Sequence, residues 1–239
     1  MTALALFFNA PIRYAHGVRI QEALVEARQR DAVPDCVLFL EHHPVITLGR
    51  RGRDQYLLAS HEALARQGID LIQSSRGGDV TYHGPGQLVM YPILKLGTAE
   101  ADAHGYLQNL EEIAIRTAAS FGVEAFRRDG MNGAWTRQGK LAAIGFHLRR
   151  WVSMHGMSFN VDLDLAGFNL IVGCGLVGEK VSSLRDVLGA RAPTVAQVRD
   201  QMCRHFAAVC TRPLDVYKVG DPLPPALAGV LTPGLLVDS

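Results

Sequence analysis

The sequence predicts an α/β (α+β) chain, with a mixed, largely antiparallel sheet flanked by helices. Three observations carry this expectation. Short apolar runs bounded by turn residues are interleaved with stretches of helical period. Between residues 124 and 161, four strand-like segments follow one another, the first three separated only by the turn residues Asp129, Gly130, Gln138 and Gly139. Hydrophobic residues make up 48% of the 239, enough for a sizeable core. No linker composition divides the chain, so residues 1–239 are expected to form a single domain.

The elements follow in order. Ala3 to Phe8 is an opening strand. Pro11 to about Arg30 reads as a helix, with Tyr14, Val18, Leu24 and Val25 among its apolar positions and Asp31 and Pro34 past its end. Cys36 to Leu40 and Val45 to Leu48 are short apolar strands. Ser60 caps a short helix that Gly68 ends, and Ile69 to Ile72 is strand-like. A glycine-rich segment, Arg76 to Gly86, precedes a strong strand from Leu88 to Leu94. Asp102 to Phe121 is the clearest helix, striped by Leu107, Leu110, Ala114, Ala118 and Phe121. Strands are expected at Glu124 to Arg127, Gly133 to Thr136, Lys140 to Leu148 and Val152 to Val161. Thr194 and Gln197 form a capping box before a last helix through Val209. Residues 212–239, rich in Pro and Gly, are expected to be irregular.

Charge excludes little but is informative. A formal net charge of +1 and a pI near 7.8 give no global footprint for nucleic acid or a membrane surface. Of 24 basic residues only four are lysines, so a lysine in an apolar stretch stands out. No run is long enough to span a bilayer. Four cysteines without CxxC pairing point to a reduced, intracellular protein, and the missing leader pattern to the cytoplasm.

Four constellations carry chemistry. Arg76-Gly77-Gly78-Asp79-Val80-Thr81-Tyr82-His83 and the following Gly84-Pro85-Gly86 form a polar, glycine-rich stretch in which backbone can approach a ligand. The plainer alternative is a hairpin with a wide turn. The stretch does not match GxGxxG or GxxxxGK[ST]. Lys140 opens a strand of small residues after Gly139. Turned inward it would make a plausible base, and otherwise it is a solvated strand-end lysine. Cys174 stands between Gly173 and Gly175 in an expected loop, open as a nucleophile must be, whereas Cys36, Cys203 and Cys210 fall in apolar elements. His155 and Asn160 bracket small and apolar residues on one strand. No metal site is expected: adjacent His42 and His43 point to opposite faces of a strand, and no HExxH occurs. No GxSxG elbow supports a serine hydrolase.

Together these segments resemble the lipoyl(octanoyl) transferase family. The matching stretches are EHHPVITLGR (Glu41 to Arg50), RGGDVTYHGPGQLVMYPI (Arg76 to Ile93), GKLAAIG (Gly139 to Gly145), RRWVSMHGMSFNV (Arg149 to Val161) and CGL (Cys174 to Leu176), in the family's order, within about residues 10 to 190. The resemblance implies the fold of the catalytic domain of biotin and lipoate protein ligases. It also implies a Cys/Lys dyad carried by Cys174 and Lys140. Its acyl-binding segments map onto Arg76 to His83, Ala143-Ile144-Gly145 and Gly156-Met157-Ser158. One departure is Gly173, where the family usually has a proline that would fix φ before the cysteine.

The implied reaction moves octanoyl, or lipoyl, from the phosphopantetheine of acyl carrier protein to a lysine of a lipoate-dependent protein. The implied acceptors are lipoyl domains of 2-oxoacid dehydrogenases and the glycine-cleavage H protein. No cofactor, metal or ATP is expected. Leu141, Ile144, Met157 and Phe159 are candidate walls of an acyl tunnel, with alternation turning only about half of them inward. Arg127, Arg128, Arg149 and Arg150 are candidate contacts for an acidic carrier protein or a plain solvated face. Three alternatives remain open: an ATP-dependent ligase, a non-catalytic acyl-binding protein, and an amidotransferase moving the acyl group between two proteins.

Overall fold

The computed structural model describes residues 2–172 and 179–236. The segment 173–178, with Cys174, lies outside the described residues.

Eleven described strands fall into two sheets. The larger runs β11(Leu214–Lys218), β1(Ala3–Phe7), β2(Cys36–Leu40), β6(Gln87–Ile93), β10(Val152–Asn160), β9(Gly139–Arg149), β8(Met131–Thr136), β7(Phe126–Arg128). The pairs of β1 with β11 and with β2 are parallel, and the rest are antiparallel. A smaller sheet is ordered β4(Asp70–Gln73), β3(Val45–Leu48), β5(Val80–His83). The expected mixed, largely antiparallel architecture is present, divided over two sheets.

The central strands β2, β6 and β10 are buried at every position because both faces of the sheet are covered. On β2, Val37 and Phe39 face one core while Cys36, Leu38 and Leu40 face the other. On β6, Leu88 and Met90 are set against Val89, Tyr91 and Ile93 in the same way. The first core is closed by α3(Ala103–Ala119) and α5(Val195–Val209), through Leu110, Ile113, Val198, Met202 and Phe206. The second is closed by α1(Tyr14–Gln29), through Ile20 and Leu24, and by Leu227 and Leu231 of the C-terminal segment. A third cluster, with Ile46, Val80, Tyr82 and Leu163, packs the smaller sheet.

Helix starts follow their caps. The Asp102 carboxylate accepts from His104 N and Gly105 N at 2.9 and 3.0 Å. The capping box is present, with Gln197 N donating to Thr194 Oγ1 at 3.3 Å and Thr194 N to Gln197 Oε1 at 2.9 Å. Strands β9 and β10 are joined by Arg150 and Trp151, both in the left-handed region (φ 52° and 60°), as a two-residue hairpin turn of the I′ kind requires.

The C-terminal segment differs from expectation. Residues 214–218 form β11, in parallel register with β1 from Ala3↔Leu214 to Phe7↔Lys218, and Leu227 and Leu231 are fully buried. Among the described residues no helix is long and apolar enough to cross a membrane.

Candidate active site

Two crossings of chain build a small cavity between the sheets. The glycine-rich loop after Ser75 leads into β5. There Gly49 N donates to Asp79 O at 2.8 Å and Gly77 N to Phe146 O at 3.0 Å, so the loop is stitched to β3 on one side and to β9 on the other. Arg76 is the inner brace. Its buried guanidinium donates to Thr47 O (2.6 Å), Thr47 Oγ1 (2.9 and 3.1 Å), Asp79 O (2.8 Å) and Gly77 O (3.0 Å). The rigid five-donor fork suits a ring of backbone and hydroxyl acceptors.

The cavity is about 50 Å³ in volume. That is room for one or two waters, so an eight-carbon chain needs the walls to part. Its lining takes in Arg76, Gly78, Asp79, Val80, Thr81, His83, Ala143, Ile144, Gly145, Gly156, Met157 and Ser158 from the expected set. Ile144 and Met157 are in its lining, yet Met157 belongs with Leu141 and Phe159 to the first core and Ile144 packs against it, so the two border the cavity from the core side. Two expected residues do not line it. The Gly77 amide is spent on Phe146, and Tyr82 points to the far face of β5, with its ring 5.7 Å from that of Phe168.

His155, already a candidate from the sequence, and Tyr14, Val89 and Tyr91, which were not, complete the lining. Tyr14 read as an apolar helix position, yet its hydroxyl bonds Ser74 Oγ at 2.7 Å and its ring stacks near those of His83 (5.9 Å) and His155 (6.5 Å). His42 joins them. Its Nδ1 donates to Ile12 O at 3.0 Å, which leaves Nε2 to accept from Tyr91 Oη at 2.8 Å. His42 is buried and His43 exposed, the opposite facing that alternation requires.

These rings are kept uncharged. Burial, and then the nearby His42 and Arg76, hold His83 well below the ordinary imidazole value. Burial and Arg76 bring His155 down to about 3. Burial pushes the Tyr91 phenol well up. His83, His155 and Tyr91 are therefore neutral polar groups beside the Arg76 guanidinium. The three described cysteines, Cys36, Cys203 and Cys210, are all pushed by burial up to about 12, which suits core thiols and not nucleophiles.

Lys140 sits outside this lining, at the start of β9. The register of β8 on β9 slips between Ala134↔Ala142 and Trp135↔Lys140, so Leu141 is an inserted residue that re-aims Lys140. Its Nζ lies over the Trp135 ring, which also carries Arg128. Arg128 is held in turn by both oxygens of Glu179 at 2.6 and 3.0 Å. Lys140 N donates to Lys180 O at 2.8 Å, and Ser182 N to Lys140 O at 3.0 Å. The strand that begins with Lys140 is thus bound to the chain that returns just after residues 173–178. On the other flank Val172 N donates to Tyr56 O at 2.8 Å. Of the expected arginine contacts, Arg127 and Arg128 are engaged by Glu111, Glu112 and Glu179 of this chain, while Arg149 and Arg150 are exposed.

Residues 13–207 match the family model of the lipoyl protein ligase A/B catalytic domain. A Syntrophotalea carbinolica protein named octanoyltransferase is 46% identical over 196 residues, which covers 82% of this chain and 89% of that one. A namesake from Chloroflexus aurantiacus is 42% identical over 212 residues, covering 87% and 95%. Among solved structures, a bipartite lipoate protein ligase from Thermoplasma acidophilum superposes with a TM-score of 0.72 at 16% identity, covering 96% of this chain and 91% of that one. Lipoate-protein ligase A bound with ATP superposes with a TM-score of 0.71 at 14% identity, covering 96% and 92%. At such identities the two structures speak for the fold alone.

Proposed function

Because the chain belongs to the octanoyltransferases, a family built on the lipoyl protein ligase A/B catalytic domain, we propose that it moves octanoyl in protein lipoylation through a thioester on Cys174. The observation that supports this most is the cavity between the Arg76–His83 segment and the middle of β9 and β10. Its lining combines small residues (Gly78, Ala143, Gly145, Gly156) with the apolar Ile144 and Met157, which suits a hydrocarbon chain, and Lys140 stands on the same strand as Ile144.

In the first half-reaction the Cys174 thiol gives its proton to Lys140, and the sulfur attacks the thioester carbonyl of octanoyl acyl carrier protein. The new C–S bond forms as the old one breaks, and the pantetheine thiolate leaves with the proton. In the second, the amine of a target lysine attacks the Cys174 thioester, Lys140 takes the amine proton, and Cys174 is released as the thiol. With the Gly77 amide engaged by Phe146, the Gly78 amide is the oxyanion donor from this loop. Thioester to amide is downhill, so no ATP, metal or other cofactor is required. Positioning and proton transfer carry the rate, and the kinetics are ping-pong. The acceptors are lipoyl domains of 2-oxoacid dehydrogenases and the glycine-cleavage H protein. The reaction is placed in the cytoplasm and involves neither nucleic acid nor a membrane.

The test is intact mass after incubation with octanoyl acyl carrier protein without ATP, under mildly acidic, non-reducing conditions. One octanoyl adduct is expected, labile to hydroxylamine, absent from Cys174→Ser as a labile species, slow to form in Lys140→Ala, and discharged by a lipoyl domain. An unmodified wild-type protein with a functional donor would sink the thioester route. Activity that survives Cys174→Ala and requires ATP would point to the ligase chemistry of the structural neighbours.

A further inference from the structure

A line of buried polar side chains joins the cavity to the chain beside Lys140. His83 Nδ1 meets Gln87 Oε1 at 2.6 Å, Gln87 Nε2 donates to Asn160 Oδ1 at 2.9 Å, and Asn160 Nδ2 donates to the Ser182 carbonyl at 2.9 Å. Ser182 N donates to Lys140 O at 3.0 Å, and its hydroxyl bonds Thr136 Oγ1 at 3.0 Å. His83, Gln87, Asn160 and Ser182 are all at most 5% exposed. In a buried network of this kind nearly every polar atom has a partner, so one left without a partner needs a reason.

The line has one direction. A backbone carbonyl at Ser182 only accepts, so the amide nitrogen of Asn160 faces it and its oxygen faces Gln87. The Gln87 nitrogen faces that oxygen and the Tyr82 carbonyl at 3.3 Å. The Gln87 oxygen is left for His83, whose Nδ1 therefore carries the proton. His83 Nε2 is then a bare acceptor. It is buried, lines the cavity and has no hydrogen-bond partner among the described residues.

We infer that Gln87 and Asn160 are positioning residues for the transfer reaction: they fix the His83 tautomer in the cavity and pin Ser182, whose amide donates to the Lys140 carbonyl. The inference rests on the reading of Cys174 and Lys140 as the transfer pair. Neither amide touches the reacting atoms. Each acts through what it holds, so the cavity and the backbone of Lys140 are set by one hydrogen-bonded line.

Three variants test it. Asn160→Leu cuts both ends of the line, Asn160→Asp, measured where the carboxyl is ionised, keeps the shape but sets a negative oxygen against the Ser182 carbonyl in place of the donor, and Gln87→Met frees His83. Rapid-quench mass spectrometry gives the rate of octanoyl loading from octanoyl acyl carrier protein. Amide hydrogen exchange reads residues 179–183, and 15N-histidine NMR reads the His83 tautomer. Asn160→Leu and Asn160→Asp are expected to lower the saturated loading rate at least tenfold with donor KM within twofold, and to lose protection at 179–183 while α3 and α5 keep theirs. Gln87→Met is expected to abolish the Nδ1–H signature that the wild type and Asn160→Asp display. Should Asn160→Leu not fold, the isosteric Asn160→Asp still decides the matter. Wild-type loading together with wild-type protection in Asn160→Asp would overturn the relay, as would an Nε2–H tautomer in the wild type. A wild-type enzyme that never loads would instead overturn the role of Cys174.

Discussion

The Lys140 Nζ lies 4.7 Å from the centre of the Trp135 ring, directly across the β8–β9 pair. A desolvated contact of this kind stabilises the cation by about 2 kcal/mol. Trp135 is buried and its indole N–H donates to Met131 O at 3.1 Å, so the ring is a fixed platform. Trp135→Phe keeps a π face and Trp135→Leu removes it. Loading of Cys174 by the donor should slow two- to threefold in the first and on the order of tenfold in the second, with donor KM unchanged. The lost packing should also cost about 3 kcal/mol in urea unfolding of the leucine variant. Equal loading rates in the two variants would show that the ring matters to Lys140 only as bulk.

Stability should fall with acid before any carboxylate titrates. His155 binds a proton near pH 6.5 in the unfolded chain and only near about 3 in the fold. Above pH 6.5 its contribution is fully present. Between the two values the unfolded state holds the extra proton, so stability drops as pH falls, by roughly 1.4 kcal/mol per unit. His83 acts in the same direction. The lowered carboxylates Glu100 and Glu179 lose their contributions only at more acid pH, so pH 6.5 to 5 isolates the histidines. His155 has φ 59°, which asparagine tolerates. His155→Asn should clearly reduce the fall in urea midpoint between pH 6.5 and 5, with His83, His147 and His205 carrying the remainder. An unchanged slope would place the acid sensitivity elsewhere.

What was legible in the sequence follows from how local each signal is. β2 could be bounded to the residue because Cys36 to Leu40 is apolar on both faces and ends in turn residues. The Thr194–Gln197 box marked the start of α5 because a cap is a three-residue event. β11 was not legible: its partner β1 lies at the other end of the chain, and as an edge strand it exposes Val216. β5 was hidden in the glycine-rich segment, since what makes it a strand is pairing with β3 some 35 residues upstream. In the site, the polar loop and the small residues of β9 and β10 were readable as types. Tyr14, Tyr91 and Trp135 look like core in sequence, and only tertiary contact sets them beside histidines or a lysine.

Arg76 should not tolerate lysine. The guanidinium reaches Thr47 O, Thr47 Oγ1, Asp79 O and Gly77 O together, and a single ammonium has three donors from one point. Arg76→Lys leaves buried carbonyls unsatisfied, at a cost of about 3 kcal/mol. Urea unfolding should show that loss, and octanoyl loading should fall with it as the loop between β4 and β5 loosens. A loss under about 0.5 kcal/mol, the range of an ordinary surface change, would mean that the backbone bonds from Gly49 and Gly77 hold the loop unaided.

Gly145 should be as intolerant of a methyl group, for a different reason. It faces Gly156 across the β9–β10 pair, and a Cβ on it would stand 2.7 Å from the Gly77 carbonyl oxygen. Gly77 N donates to Phe146 O at 3.0 Å, so the loop cannot withdraw from β9 without breaking that bond. The methyl must therefore push the Gly77-Gly78 peptide away from the cavity wall, moving the backbone amide that would face the oxyanion. The expected outcome for Gly145→Ala is a tenfold or greater fall in kcat/KM for the octanoyl donor. The fold should be retained, and the Gly77 amide should exchange faster with solvent. Gly97→Ala is the control, because a Cβ there meets nothing closer than a side-chain oxygen at 4.0 Å and its φ is −68°. It should behave as wild type. Wild-type kcat/KM in Gly145→Ala would show that the close approach of β9 to the loop is a packing accident and not what aims the loop at the substrate.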